Sequence, residues 1–105
     1  MPLDYTKPDG DTLAIALIKL PAADDANRIG SLVLNPGGPG GSGVDYARAA
    51  RAVVDEKVRD VYDVVGFDPR GVGRSDAVKC LTDAQTDAFM AADATPDTPD
   101  EVAQL

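Results

Sequence analysis

The sequence predicts an α/β fold in which a strand, a helix and a second strand make one right-handed crossover of a parallel sheet. Three observations predict it. Residues 31–34 and 63–67 are short runs, mostly apolar, that suit strands buried on both faces. Between them, Val44 to Val61 places Ala47, Ala50, Val54, Val58 and Val61 on one helical face, with Arg48, Asp55, Glu56, Arg59 and Asp60 mostly opposite. Each apolar run is followed at once by a glycine-bearing loop, so both loops fall at the carboxyl ends of their strands, where open α/β sheets bind ligands.

The remaining elements follow in chain order. Residues 1–29 read as N-terminal strands. Leu3 to Tyr5 is a short edge-strand candidate, Pro8-Asp9-Gly10 marks a β-turn, and Leu13 to Leu20 is a longer strand stopped by Pro21. Asp24 to Arg28 is a polar loop. Residues 30–76 hold the crossover and both glycine loops. Residues 77–105 read as the helical start of a following region: Thr82-Asp83-Ala84-Gln85 matches a capping box, and Thr98-Pro99-Asp100-Glu101 matches a second with Pro99 at the favoured first position. That second helix has about two turns before the sequence ends, too short to be stable alone, and the expectation is an incomplete domain.

Composition sets outer limits. The 105 residues carry a formal net charge of −8, which argues against nucleic-acid and anionic-membrane surfaces. Aromatics are 5% and Trp is absent, so the core must come from Ala, Val, Leu and Ile. Cys80 is the one cysteine, which rules out an internal disulfide and a cysteine-based metal site. No apolar run reaches the roughly 20 residues of a membrane span. The N-terminus shows neither the basic nor the apolar region of a secretory signal. No metal or cofactor is implied.

Two motifs carry the chemistry. Asn35-Pro36-Gly37-Gly38-Pro39-Gly40-Gly41-Ser42-Gly43 puts five glycines in seven positions between strand and helix. Glycine permits positive φ and close approach, so backbone N–H groups can face a phosphate or the oxyanion of a tetrahedral intermediate. The loop lacks the lysine of a P-loop. Gly38 to Gly43 fits the spacing G-x-G-x-x-G, but a proline sits in the tight turn, and Asp63, 20 residues beyond Gly43, opens its strand instead of closing it. The second motif, Asp68-Pro69-Arg70-Gly71-Val72-Gly73-Arg74-Ser75-Asp76, reads as a structural loop in which Asp68 and Arg70 pair across the turn while Gly71 and Gly73 redirect the chain.

The order strand, Gly-Gly-Pro-Gly-Gly, helix, strand, Asp-Pro-Arg-Gly-x-Gly-x-Ser resembles the opening of α/β-hydrolases of the prolyl aminopeptidase type. It is most similar to their tripeptidyl aminopeptidase relatives, through Pro36 to Gly41, Pro2-Leu3-Asp4-Tyr5 and the cysteine after Gly73-Arg74-Ser75. The resemblance implies the N-terminal part of an α/β-hydrolase sheet. It also implies a serine hydrolase acting on an amide or ester, most simply an aminopeptidase releasing short peptides from a substrate's N-terminus. It assigns one oxyanion-hole N–H to Gly38, with Gly37 as the neighbouring candidate, and a scaffold role to Asp68, Arg70, Gly71 and Gly73. In such enzymes the serine, acid and histidine of the triad follow later in the chain. None is identified here: no Gly-x-Ser-x-Gly is complete, Ser42 and Ser75 each failing at the last position, and the sequence contains no histidine. The implied partners are a peptide or small ester or amide substrate and the remainder of the hydrolase domain, and the resemblance is compatible with an exported protein. Two alternatives stand beside it: a non-catalytic binding module that retains the glycine loop, and a nucleotide- or phosphate-binding loop.

Overall fold

The computed structural model describes residues 1–92, 95 and 98–103, with backbone alone for 101 and 102. Three strands, β1 (Leu17–Leu20), β2 (Gly30–Leu34) and β3 (Tyr62–Phe67), form a sheet in the order β1-β3-β2. β2 and β3 are parallel, with Leu32 opposite Val64 and Leu34 opposite Gly66. β1 runs antiparallel on the other side of β3, with Ile18 opposite Gly66 and Leu20 opposite Val64. The sheet is therefore mixed, with the parallel pair spanned by the helical connection.

The connection differs from the single helix that periodicity predicts. It comprises α1 (Gly43–Arg48), α2 (Ala50–Val53) and α3 (Glu56–Val61). The inward face survives the breaks: Ala47 and Ala50 are buried with Val64, and Ile18, Leu20, Leu34 and Val54 pack against them. The sharper break has a local cause. Asp55 turns its carboxylate onto the Lys57 N–H (2.9 Å) and caps α3, which leaves Val54 extended. Short acidic side chains compete with the helix in this way wherever a following turn offers free N–H groups. Arg59 then donates from Nε to the Val54 carbonyl (3.0 Å), covering an acceptor that the break sets free.

Other expectations are also trimmed. β2 is not buried on both faces: Val33 is 57% exposed, because helices cover only the side of the sheet that carries Leu32 and Leu34. The run Leu13 to Leu20 pairs as a strand only from Leu17, and its first half is held by the loop after β3. Leu3 to Tyr5 forms no strand. Instead Pro2 and Thr12 make an isolated antiparallel bridge around the turn closed by the Gly10 N–H on the Lys7 carbonyl (2.9 Å).

Beyond the sheet, α4 (Asp83–Ala91) starts at the predicted capping box, with Gln85 N–H on Thr82 Oγ1 (3.2 Å) and Thr82 N–H on Gln85 Oε1 (2.9 Å). It buries none of its residues. A last turn, α5 (Pro99–Val102), begins at Pro99. The Glu101 side chain of its predicted capping box, and residues 93, 94, 96 and 97 before it, lie outside the described residues. Among the described residues no helix is long and apolar enough to cross a membrane.

Candidate active site

β2 and β3 are neighbours and parallel, so the loops that leave their carboxyl ends lie side by side. The first, residues 35–42, begins with an Asn35 side chain that accepts the Gly37 N–H (3.0 Å). Gly37, Gly38 and Gly40 have φ of 71°, 132° and 92°, values that side chains disfavour. The Gly38–Pro39 peptide is cis. The Gly41 N–H closes the turn on the Gly37 carbonyl (3.2 Å). Gly38 is exposed, and its N–H donates to no acceptor among the described residues.

The second loop, residues 68–76, is organised by Asp68, which is completely buried. Its Oδ1 accepts the Ser42 hydroxyl (2.6 Å) and the Val44 N–H (3.1 Å), and its Oδ2 accepts the Arg74 N–H (2.9 Å). The carboxyl is held below its ordinary range, first by the Arg74 N–H, then by the Ser42 hydroxyl, with burial opposing and the Val44 N–H and the Arg74 charge adding to the effect. The Asp68–Arg70 pair read from the sequence does not form: Arg70 is exposed, and the guanidinium near Asp68 is that of Arg74, at 3.9 Å. Gly71 and Gly73, at φ 82° and 52°, turn the chain back so that residue 74, not residue 70, reaches the carboxylate. Gly73 must also be small, since a Cβ there would collide with Asp68 Oδ2. Arg74 reaches on to Asp45 on α1 (3.1 Å), a second tie between the loops.

Both serines that resembled half of a nucleophile elbow are engaged locally. Ser42 caps α1 by accepting the Asp45 N–H (3.1 Å) while donating to Asp68. Ser75, 7% exposed, donates to the Asp68 carbonyl and accepts the Ala16 N–H (2.9 Å). Asp76 continues this seam, taking the Ala14 N–H on Oδ2 (2.7 Å) and donating its own N–H to the Ala14 carbonyl (3.0 Å). The end of the second loop thus pins the chain that leads into β1. The S-x-x-D pattern at Ser42 to Asp45 was a legible cap. Nothing local in the sequence marked Asp68, 26 residues away, as the acceptor for Ser42, nor Ser75 and Asp76 as partners of residues 14 and 16.

A second buried carboxylate lies at the opposite end of β3. Asp63 accepts the Ala22 N–H (2.9 Å) and pairs with Arg28 (2.9 Å) and Lys19 (3.7 Å). The Ala22 N–H is the main cause holding it below its ordinary range, with the Arg28 bond and the two positive charges helping against burial. It ties the segment before β2 to the sheet, far from the glycine loop. Among the described residues no group of three or more acidic, histidine or cysteine side chains is placed to hold a metal. Cys80 is exposed, just before α4.

Parallel strands joined by helices, with a glycine loop after one strand and an Asp-Pro-Arg-Gly loop after the next, define a hydrolase-type α/β sheet. The alpha/beta hydrolase fold family profile matches residues 30–95, and the chain belongs to that family. The sheet described here is a small, incomplete one. Among individual proteins, the chain is 49% identical over 92 residues to the serine protease Hip1 of Mycobacterium tuberculosis, covering 87% of this chain and 17% of that protein. It is 47% identical over 91 residues to carboxylesterase B of the same organism, covering 85% and 17%. It is 42% identical over 84 residues to the tripeptidyl aminopeptidase of Streptomyces lividans, covering 77% and 16%. The chain thus spans about one sixth of the length of the relatives it matches.

Proposed function

We propose that this chain forms the front part of a serine hydrolase and supplies one half of its oxyanion hole, through the Gly38 N–H with Gly37 beside it. The observation that carries the reading is the loop at the carboxyl end of β2. Its backbone is held open by three positive-φ glycines, and the Gly38 N–H is exposed and unused within the described residues. In acyl transfer such a donor faces the oxygen that becomes negative in the tetrahedral intermediate, where a fixed dipole contributes more than it does toward the neutral carbonyl. The second donor would follow the nucleophile, and nucleophile, acid and histidine base would come from residues outside these 105, which contain no histidine. Asp68, Gly71 and Gly73 then serve as scaffold for the hole; Arg70, to which the resemblance gives a scaffold role as well, is exposed here and leaves Asp68 to Arg74.

The substrate class that fits best is a peptide cleaved near its amino terminus. A serine protease and a tripeptidyl aminopeptidase among the relatives support it, while a carboxylesterase marks the ester alternative. The test uses the full-length protein with a tripeptidyl arylamide bearing a free amino group, its N-acetylated form, and a simple aryl ester. Faster cleavage of the free-amine arylamide is expected. Turnover of the ester alone would make the protein an esterase, and no turnover of any would favour a binding module that keeps the loop. Gly38→Ala forces a side chain into φ 132° and sets its Cβ 3.0 Å from the Gly41 nitrogen. Alanine keeps the N–H but displaces it from its aim, so kcat should fall by as much as about 10²- to 10³-fold, the loss of one oxyanion donor, with KM nearly unchanged. An unchanged kcat would remove Gly38 from the site.

A further inference from the structure

We propose that Asp68 is a positioning residue for the glycine loop: through the Ser42 hydroxyl, its buried carboxylate fixes the loop's exit and with it the placement of the Gly38 N–H. The proposal rests on the hydrolase reading of that loop.

The geometry leaves the loop few other anchors. At its entry the Asn35 side chain holds the Gly37 N–H, and within it the Gly41 N–H meets the Gly37 carbonyl. Residues 35–40 are exposed. The exit is different. Ser42 is simultaneously the cap of α1 and the donor of a 2.6 Å bond to a carboxylate with no solvent exposure. Oδ1 of that carboxylate also takes the Val44 N–H, so it grips the chain on both sides of Gly43. Its Oδ2 is held by Arg74, and the carbonyl of the same residue is held by Ser75, so the clamp is itself fixed to the neighbouring loop and, through Ala16, to the chain entering β1. Charge-assisted bonds of this type are about twice as strong as neutral ones. Among the described residues no buried side-chain polar atom lacks a partner, so both carboxylate oxygens of the clamp are engaged. The lowered pKa of Asp68 keeps it ionised, and hence a pure acceptor, at neutral pH. A displacement of about 1 Å in a catalytic group can cost about 10²-fold in rate, so an exit held this tightly is a lever on the oxyanion donor.

The experiment substitutes Ser42 in the full-length protein. Ser42→Ala removes both the clamp and the cap. Ser42→Gly removes the clamp while retaining most of the cap's stability, which guards against simple misfolding. Ser42→Thr restores the hydroxyl. Asp55→Ala is the control, since it deletes an equivalent cap on α3 that has no link to the loop. The expected result is a kcat about 10- to 100-fold lower in the Ala and Gly variants with KM within about twofold, recovery in the Thr variant, and no kcat change in Asp55→Ala. Exchange of the Gly41 amide should rise about tenfold in the Ala and Gly variants, and not in the Thr variant, if the loop loosens locally. Unchanged kcat in Ser42→Gly, or a kcat loss that Thr fails to rescue, overturns the proposal. Should the wild-type protein hydrolyse none of the substrates, the hydrolase reading fails by itself. Gly41 exchange then decides whether the clamp positions the loop, and equal rates in wild type and Ser42→Gly overturn it.

Discussion

Gly66→Ala is the most demanding check on the packing that carries the site. Gly66 lies on β3 directly beneath the first turn of α1. A Cβ added there would strike the Gly43 carbonyl oxygen, approach the Gly43 carbonyl carbon to 2.8 Å and the Ala47 Cβ to 2.6 Å. Two of these atoms are backbone, so no rotamer change relieves the contact. Restoring an ordinary carbon–carbon separation of about 3.5 Å requires α1 to lift about 1 Å from the sheet. Overpacking of this kind costs about 1–3 kcal/mol, and a backbone obstacle puts this site near the upper end. Against it, replacing a strand glycine returns about 0.5–1 kcal/mol of chain entropy. The net expectation is a loss of about 2 kcal/mol, read as a lower melting midpoint of the full-length protein. Urea unfolding followed by circular dichroism should show a lower midpoint with an unchanged slope. Gly30→Ala supplies the contrast: its Cβ would meet only Tyr62 Cε1, at an ordinary 3.9 Å, so that variant should be neutral or slightly stabilised. If Gly66→Ala proves as stable as Gly30→Ala, the close approach of α1 to β3 is not what holds the helix, and the reasoning fails.

Two further outcomes follow from the second loop. Asp68 has its folded pKa below the unfolded value of 3.8, so its contribution to stability is complete above that value and is lost as pH falls through the lowered one. Asp4 and Asp63 shift in the same direction, Asp4 through the Thr6 hydroxyl and N–H. Urea midpoints measured from pH 7 downward should therefore fall on the acid side, and Asp68→Asn should flatten that fall; an identical acid limb in the variant would show that Asp68 is not linked. Separately, Gly71→Ala and Gly73→Ala both force a side chain into positive φ, worth about 1–2 kcal/mol. Only the Cβ at Gly73 also meets the Asp68 carboxylate, so Gly73→Ala should lower the melting midpoint clearly more than Gly71→Ala does, and equal losses would count against the packed carboxylate.

β2, β3 and both loops were legible because their signals are local. Apolar runs ending in glycine-rich segments fix β2 and β3, and Thr82 with Gln85 announces α4. What escaped were the places where a side chain overrides periodicity. Val54 and Asp55 fit a continuous helix on a helical wheel, yet the Asp55 carboxylate caps a new helix and splits it. Asp68 and Arg70 stand two residues apart and invite pairing, but the turn built on Gly71 and Gly73 delivers Arg74 instead. Arg70 is left facing solvent. The burial of β2 was overestimated for another reason: a hydrophobic run reports what a strand can face, and here helices cover one side only.

On the proposed reading, the same contrast accounts for the pairing of the glycine loop with the Asp-Pro-Arg-Gly loop. A loop of consecutive glycines has little stiffness of its own, because each residue that permits positive φ also permits many other conformations. An oxyanion donor has the opposite need, since its value lies in not reorganising as charge develops. The molecule reconciles the two by keeping the glycines at the tip and fastening the loop's end to a buried neighbour: the Asp68 carboxylate, which accepts from three donors and whose backbone carbonyl accepts the Ser75 hydroxyl. Ser75 and Asp76 then carry the restraint to residues 14 and 16 at the head of β1. On this view the second loop contributes no reacting group. Asp68, Ser75 and Asp76 each bond the backbone of another segment, Gly73 leaves room for the Asp68 carboxylate, and together they tie the exit of the glycine loop to the sheet.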